Sequence, residues 1–233
     1  MAIPLSLSVP RRRGPQSLLA ELLSSSTDPG DRFDPPTGGA FGPPVVSAST
    51  LLGSAGTDAG RVIVGLDVDP AELQTRAQAS YEAVRFHLDC PAGRLRDAVA
   101  LGLPSPLAVF VTPTGDDVRL AEAVQQLVDA GCIPGIVSGR AVGELADVLA
   151  VLAHSDVGFV ARAQDSAEVL ALLSGTVASL CGDDIRLALE NPEPARLRAL
   201  IPEAAEAVHH VLLGVEVPDP SLVGRELAAL GLR

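Results

Sequence analysis

The chain lacks lysine and tryptophan, and its 233 residues include one tyrosine and five phenylalanines. All 17 basic residues are therefore arginines. Without lysine, the protein cannot form a Schiff base with a carbonyl substrate and cannot use a P-loop lysine. With so few aromatic residues, it has little surface on which bases or sugar rings could stack. These absences exclude class I aldolase chemistry and disfavour a glycosidase.

Positive charge is also scarce, since 29 acidic residues give a net charge of −12. A chain this acidic repels phosphate backbones, so we expect no nucleic-acid partner. The three cysteines, Cys90, Cys132 and Cys181, form no Cys-x-x-Cys pair, which argues against a disulfide framework or a structural zinc site.

Long apolar runs are absent as well, and none approaches the ~20 residues that cross a bilayer. The basic cluster Arg11 to Arg13 follows the mildly apolar start of the chain. A secretory signal has the opposite order, so we expect a cytoplasmic protein with no membrane partner.

Residues 1–60 are rich in Pro, Gly, Ser and Thr, as in "STDPGDRFDPPTGGAFGPP". Such a composition predicts an N-terminal arm that is flexible or lies on the main domain or on a neighbouring subunit. Within it, "SLLAELL" (17–23) has helical character, and "VVSAST" (45–50) is a candidate for one extra strand. The arm is the candidate surface for forming a homo-oligomer.

From Arg61 onward, seven short apolar runs each end in a polar residue, roughly 25 residues apart. Amphipathic patterns lie between them, at 120–131, 141–155 and 165–180. Strands alternating with helices predict a parallel sheet. We therefore expect residues 61–233 to form a (β/α)8 TIM-barrel-like domain, compact or lacking an element. The alternative is an open doubly wound sheet. The closing residues are Asp67, Asp89, Thr112, Ser138, Arg162, Glu190 and Glu216.

The direction of the side chains follows from the alternation along each strand. In "VRFHLD" (84–89) the apolar residues should face the helices, which turns Arg85, His87 and Asp89 into the barrel. The same reasoning places Glu190 and Glu216 at the C-terminal mouth, where enzymes of this architecture build their active sites. Asp67 and Asp69, just before Pro70, are typical of helix caps.

Carboxylates that converge in one mouth need positive charge to offset their repulsion. One solution is a divalent cation, Mg²⁺ or Mn²⁺, held by Asp89, Glu190 and Glu216 with His87 assisting. The other is a salt-bridge network with internal arginines. We expect Arg162 to hold a substrate anion or to pair with Asp165. On the opposite side of the mouth, Thr112 and Ser138 are candidate substrate contacts, and no nucleotide-cofactor motif is present.

The segment "LALEN" (187–191) resembles the metal-ligand strand of the xylose-isomerase-like barrels, whose glutamate at that place holds a divalent ion. The resemblance covers about five residues, and the histidine-bearing strands of that family have no counterpart at matching places, so it assigns no residue role to this chain.

These observations predict a small barrel enzyme of lyase or isomerase type that acts on a small polar or anionic metabolite. His87, Asp89, Glu190 and Glu216 would supply acid–base chemistry or hold the cation, and Arg162 would orient the substrate. The alternative is a non-catalytic barrel that serves in assembly through its N-terminal arm.

Overall fold

The computed structural model describes residues 17–26, 41–54, 56–76, 79–112 and 119–232. Eight strands form one sheet in which every neighbouring pair is parallel. In chain order they are β1 Leu23–Ser25, β2 Val45–Ser47, β3 Asp58–Gly65, β4 Ser80–Pro91, β5 Leu107–Thr112, β6 Ile133–Val137, β7 Phe159–Arg162 and β8 Leu212–Val217.

The sheet is nearly closed into a barrel. Its strand order is β1-β8-β7-β6-β5-β4-β3-β2, so each strand from β2 to β8 lies beside the next one in the chain. One parallel bridge between Ser26 and Val45 joins the two edge strands, β1 and β2. The (β/α)8 prediction is therefore confirmed, with eight strands rather than seven, and the open doubly wound sheet is not the fold.

Helices follow the strands and cover the outside of the sheet. Their apolar faces pack with the outward residues of the strands in the main core, which contains Val62, Val109, Leu149 and Leu173. Among the described helices, none is long and apolar enough to cross a membrane. The helices are α1 Ala48–Gly53, α2 Pro70–Arg76, α3 Leu95–Val99, α4 Leu120–Asp129, α5 Val142–Leu152, α6 Ser166–Cys181, α7 Ile185–Glu190, α8 Pro194–Arg198, α9 Pro202–Val211 and α10 Pro220–Ala229, with a 3-10 turn at Ala92–Arg94.

Six of the seven predicted strands are present, but the strand predicted at 185–190 is wrong. These residues form α7, which Asp184 begins by accepting a hydrogen bond from the Leu187 amide at 3.0 Å. Because Ile185, Ala188 and Leu189 recur at helical spacing, they form the less exposed face of α7, while Leu187 is exposed. Six residues with an alternating pattern fit a short capped helix equally well.

The N-terminal region contributes more to the barrel than its composition suggested. The segment at 17–23 is not a helix: residues 18–22 form turns, and the chain then enters β1 with Leu22 and Leu23 fully buried. The extra strand at the start of 45–50 is confirmed as β2, and α1 follows it. The barrel sheet thus begins at Leu23, before the boundary expected at residue 60, while 1–16 and 27–40 lie outside the described residues.

The barrel interior holds a second, smaller apolar core beneath its mouth. Ala108, Phe110 and Val160 are buried there, with Ile133, Val137 and Leu213 against them. The inward and outward alternation along β8 is interrupted at Leu212 and Leu213, because the register with β7 shifts between Phe159 and Val160. Leu212 consequently packs in the outer core and Leu213 in the inner one. Beyond this irregularity Glu216 regains the predicted inward direction.

Candidate active site at the barrel mouth

Arg162, the last residue of β7, connects two carboxylates at the C-terminal end of the barrel. Its Nη1 donates to Asp89 Oδ1 on β4 at 2.6 Å, and its Nε donates to Glu216 Oε2 on β8 at 3.0 Å. The guanidinium carbon lies 3.8 Å from the ring centroid of Phe110 on β5, a cation–π contact. Four strands thereby fix one half-buried positive charge.

His87 lies deeper on β4 and is 3% exposed. Arg85 Nε donates to His87 Nε2 at 3.1 Å, so Nε2 must be the unprotonated nitrogen of a neutral ring. The ring proton then resides on Nδ1, which lies 3.5 Å from Glu216 Oε2. That contact is longer than a well-formed hydrogen bond, and Nδ1 has no other partner among the described residues. The Phe110 ring packs edge-on at 5.2 Å.

The electrostatics of the cluster keep Glu216 ionised and His87 neutral. Burial by itself would raise the pKa of Glu216, but the interaction with His87 and the charge of Arg162 lower it to about 2. Burial lowers the pKa of His87, and the nearby charge of Arg85 acts in the same direction. Burial also lowers the pKa of Arg85 to about 10, opposed by the charge of Glu216. Glu216 therefore lies as a carboxylate between the neutral His87 ring and the cationic guanidinium of Arg162.

Arg162 responds differently from Arg85. Burial would lower the pKa of its guanidinium, but the hydrogen bond to Asp89 and the charge of Glu216 raise it above the usual value. Arg162 is therefore cationic at neutral pH. Within the described part of the chain, its Nη2 takes part in no hydrogen bond, which leaves one donor nitrogen of this cation available to a ligand.

A pocket of about 360 Å³ opens beside Asp89, at the ends of β3 and β4 and against α3. The Asp89 side chain is 55% exposed, so it is the carboxylate of the cluster that solvent reaches most readily. Burial raises the pKa of the Cys90 thiol, which argues against an activated cysteine nucleophile there. Residues that line the pocket include Leu88, Asp89, Cys90, Arg94, Asp97 and Leu101.

Ser138 and Thr112 lie on neighbouring strand ends, as expected, and Ser138 has a structural partner. Its hydroxyl donates to Glu168 Oε2 in the first turn of α6, and its amide donates to the Arg162 carbonyl at 2.8 Å. Glu168 also accepts from the Gln164 amide at 2.7 Å. Thr112 ends β5 and is exposed. These contacts anchor the loops around Arg162.

Glu190 does not join the other candidates. It is the exposed last residue of α7, a helix that packs on α5 and α6 outside the barrel, so its predicted place in the mouth is wrong. The "LALEN" resemblance fails for the same reason, since that segment is not a strand. Across the part of the chain that the structure describes, no three His, Cys, Asp or Glu side chains are grouped so that they could hold a metal ion.

Other polar residues near the mouth support local structure. Asp67 accepts hydrogen bonds from the amide and hydroxyl of Ser49 at the start of α1, and Asp69 accepts from the Ala71 amide in α2. Asp165 caps α6 through the Glu168 amide at 3.0 Å rather than pairing with Arg162. The predicted ion pair of Arg162 with Asp165 is therefore wrong. Arg162 instead forms ion pairs with Asp89 and Glu216.

Two residues of the cluster escaped the sequence analysis. Phe110 could have been found by applying the same alternation to "LAVFVT", which turns Ala108 and Phe110 inward. Glu168 stands three residues after Asp165, the spacing of a capping box, although its carboxylate binds Ser138 and the Gln164 amide. Comparison with protein families, with characterised proteins and with solved structures finds no significant match to this chain.

Proposed function

We propose that the protein is a barrel enzyme of lyase or isomerase type that moves a proton on a small anionic metabolite. The observation that carries this proposal is the position of Arg162, a half-buried cation between two carboxylates at the barrel mouth, one of which, Asp89, also lines a pocket of about 360 Å³. Active sites of this architecture lie at this end of the barrel.

Each charged residue has a distinct role in the proposal. Arg162 Nη2 binds the substrate anion, because it is the donor that the two carboxylates leave unused. Asp89, the exposed carboxylate on the pocket side, is the general base that removes a proton from the bound substrate. Glu216 stays ionised and holds the guanidinium of Arg162 in place, so it acts as a positioning residue.

Proton abstraction can be tested before the substrate is identified. The protein is incubated in D₂O with a panel of small carboxylic and hydroxy acids, and ¹H NMR follows the loss of carbon-bound protons. We expect exchange with at least one acid, and a loss of that exchange in Asp89→Asn and Arg162→Gln. Arg186→Gln is the matched control, since Arg186 pairs with Asp147 on the outside of the barrel. Exchange that persists in Asp89→Asn would contradict the assignment of the base.

The divalent cation predicted from the sequence belongs to the same experiment. Of its three expected ligands, only Asp89 and Glu216 lie together, and both bind Arg162. The exchange assay is therefore repeated with Mg²⁺ and with Mn²⁺. A rate that rises with either ion and keeps its dependence on Asp89 would add a metal to the proposed reaction.

A non-catalytic barrel that serves in assembly is the second candidate, and the mutual neutralisation of the interior charges favours it. The test removes residues 1–16, because a longer deletion would take away β1 and β2. Size-exclusion chromatography with light scattering then compares the two chains. A loss of oligomer on truncation would support assembly through the arm, and an unchanged mass would contradict it.

A further inference from the structure

Arg85 crosses the interior of the barrel beneath His87. It projects from β4 four residues before Asp89, and Nη2 of its guanidinium lies beside Gly214 on β8. Three strands separate β4 from β8 in the sheet, so the side chain reaches across the barrel rather than along its wall. Its Nε donates to His87 Nε2 at 3.1 Å, and the residue is half-buried. A cation therefore lies inside the barrel, on the side of His87 away from the mouth.

The two terminal nitrogens of Arg85 have no partner within the part of the chain that the structure describes. Its Nε forms the hydrogen bond to His87, while Nη1 and Nη2 form neither a hydrogen bond nor an ion pair there. The fully buried side-chain nitrogens and oxygens that lack a partner among these residues are His87 Nδ1 and Ser174 Oγ. Nη1 and Nη2 of Arg85 are not among them, so both donors are in contact with solvent-accessible space.

The other half-buried arginines of the described chain differ from Arg85. Nη2 of Arg140 donates to the Val111 carbonyl at 2.9 Å, and Nη1 of Arg162 donates to Asp89 at 2.6 Å. A polar group that is withdrawn from water normally finds such a partner, because leaving it unsatisfied costs free energy. The unused donors of Arg85 thus point to an acceptor that the chain itself does not supply.

The charge of Arg85 is incompletely offset as well. Glu216 attracts it from a distance, but the carboxylate of Glu216 binds Nε of Arg162 at 3.0 Å. Burial lowers the pKa of Arg85 to about 10, and the charge of Glu216 opposes that effect only in part. An anion beside Arg85 adds the negative charge that a half-buried cation requires.

Gly214 provides room for such an anion. Apart from its chain neighbours, only two described atoms lie within 4 Å of the position that a Cβ would take there: Arg85 Nη2 at 3.2 Å and the Leu22 carbonyl oxygen at 3.7 Å. At Gly135 on β6, by contrast, three ring atoms of Phe110 lie between 2.5 and 2.8 Å from the corresponding point. The barrel interior is therefore filled at Gly135 and open beside Gly214.

We propose that Arg85 and Gly214 form a binding site for a small carboxylate inside the barrel. Nη1 and Nη2 donate in parallel to its two oxygens, the bidentate geometry that a guanidinium favours with this group. The rest of the anion occupies the space that Gly214 leaves open. Binding involves no covalent step, and the site is independent of the reaction proposed at the mouth.

Formate is the probe, followed by ¹H–¹⁵N NMR titration of the full chain at an ionic strength held constant with chloride. We expect saturable shifts at the Arg85 side-chain Nε–H and at the Gly214 amide. Formamide is similar in size and shape but uncharged, so it should leave both signals in place, as should chloride alone. An absence of saturation with formate, or equal shifts with formamide or chloride, would overturn the proposal.

Two variants that retain a positive charge at this site locate the binding. Arg85→Lys loses the second parallel donor, and Gly214→Ala places a methyl group 3.2 Å from Nη2, so each should weaken formate binding by about tenfold. Arg61→Gln on β3 is the matched control, since Arg61 is exposed, and should leave the affinity unchanged.

A second comparison separates this site from the mouth. Arg162→Gln removes the cation at the mouth and should leave the formate shift of the Gly214 amide in place. If that shift vanishes in Arg162→Gln and persists in Arg85→Lys and Gly214→Ala, the anion binds at the mouth and the proposal is wrong.

Discussion

Asp89 and Arg162 are joined by a 2.6 Å ion pair, although 73 residues and the two intervening strands β5 and β6 separate them. The guanidinium crosses the mouth of the barrel above the Phe110 ring to make this contact. Arg162 also binds Glu216, so one guanidinium on β7 neutralises carboxylates on β4 and β8. Its removal leaves both carboxylates without their ion pair.

Arg162→Gln should lower the free energy of unfolding by about 3 kcal/mol, since it leaves the Glu216 carboxylate, 10% exposed, without its cation. Urea denaturation at pH 7 measures the change. Arg94→Gln is the control: it breaks the exposed pair with Asp97 and should cost less than about 1 kcal/mol. Equal effects of the two substitutions would show that the mouth cluster is solvated like an ordinary surface pair.

The stability should depend on pH through Glu216. Its pKa falls from 4.5 in the unfolded chain to about 2 in the folded protein, so its contribution is fully present above pH 4.5. It is lost as the pH falls through the window from 4.5 to 2, by about 3 kcal/mol in total. Denaturation curves between pH 2 and 6 for the parent chain and Glu216→Gln give the difference. Parallel curves across this window would contradict the assignment.

The ring of His87 should be neutral at pH 7, with its proton on Nδ1. Burial lowers its pKa, and the hydrogen bond from Arg85 requires a lone pair on Nε2. Long-range ¹H–¹⁵N spectra distinguish the two tautomers and the cation, and the exposed His154 and His210 provide reference signals. A proton on Nε2 would mean that Arg85 does not donate to this ring.

Gly135→Ala should lower the free energy of unfolding by about 2 kcal/mol, because its Cβ would lie 2.5 Å from Cγ of Phe110 in the closely packed barrel interior. Gly53→Ala in α1 serves as the control, since no atom lies within 4 Å of its Cβ and alanine favours the helix. Thermal melts compare the two. A tolerated Gly135→Ala would show that the Phe110 ring can shift beneath Arg162.

The sequence predicted the architecture and most of the mouth cluster for a clear physical reason. In β4, apolar and polar residues alternate over a long strand, so His87 and Asp89 could be oriented from their neighbours. The segment at 185–190 was wrongly predicted as a strand because its alternation covers only six residues. The side chain of Asp184 caps this segment and so stabilises a helix. β1 has only three residues and shows no period at all. The contact between Arg162 and Asp89 depends on barrel curvature, which no local pattern encodes.

The single bridge between Ser26 and Val45 determines where the barrel sheet opens most easily. Each of the seven other neighbouring strand pairs shares a ladder of three or more residue pairs, whereas β1 and β2 are joined by one bridge. Opening at this seam disrupts fewer backbone hydrogen bonds than opening elsewhere. Amide hydrogens of Val45 and Val46 should therefore exchange with deuterium before those of Val109 and Phe110, which makes the seam the place where solvent first enters the interior.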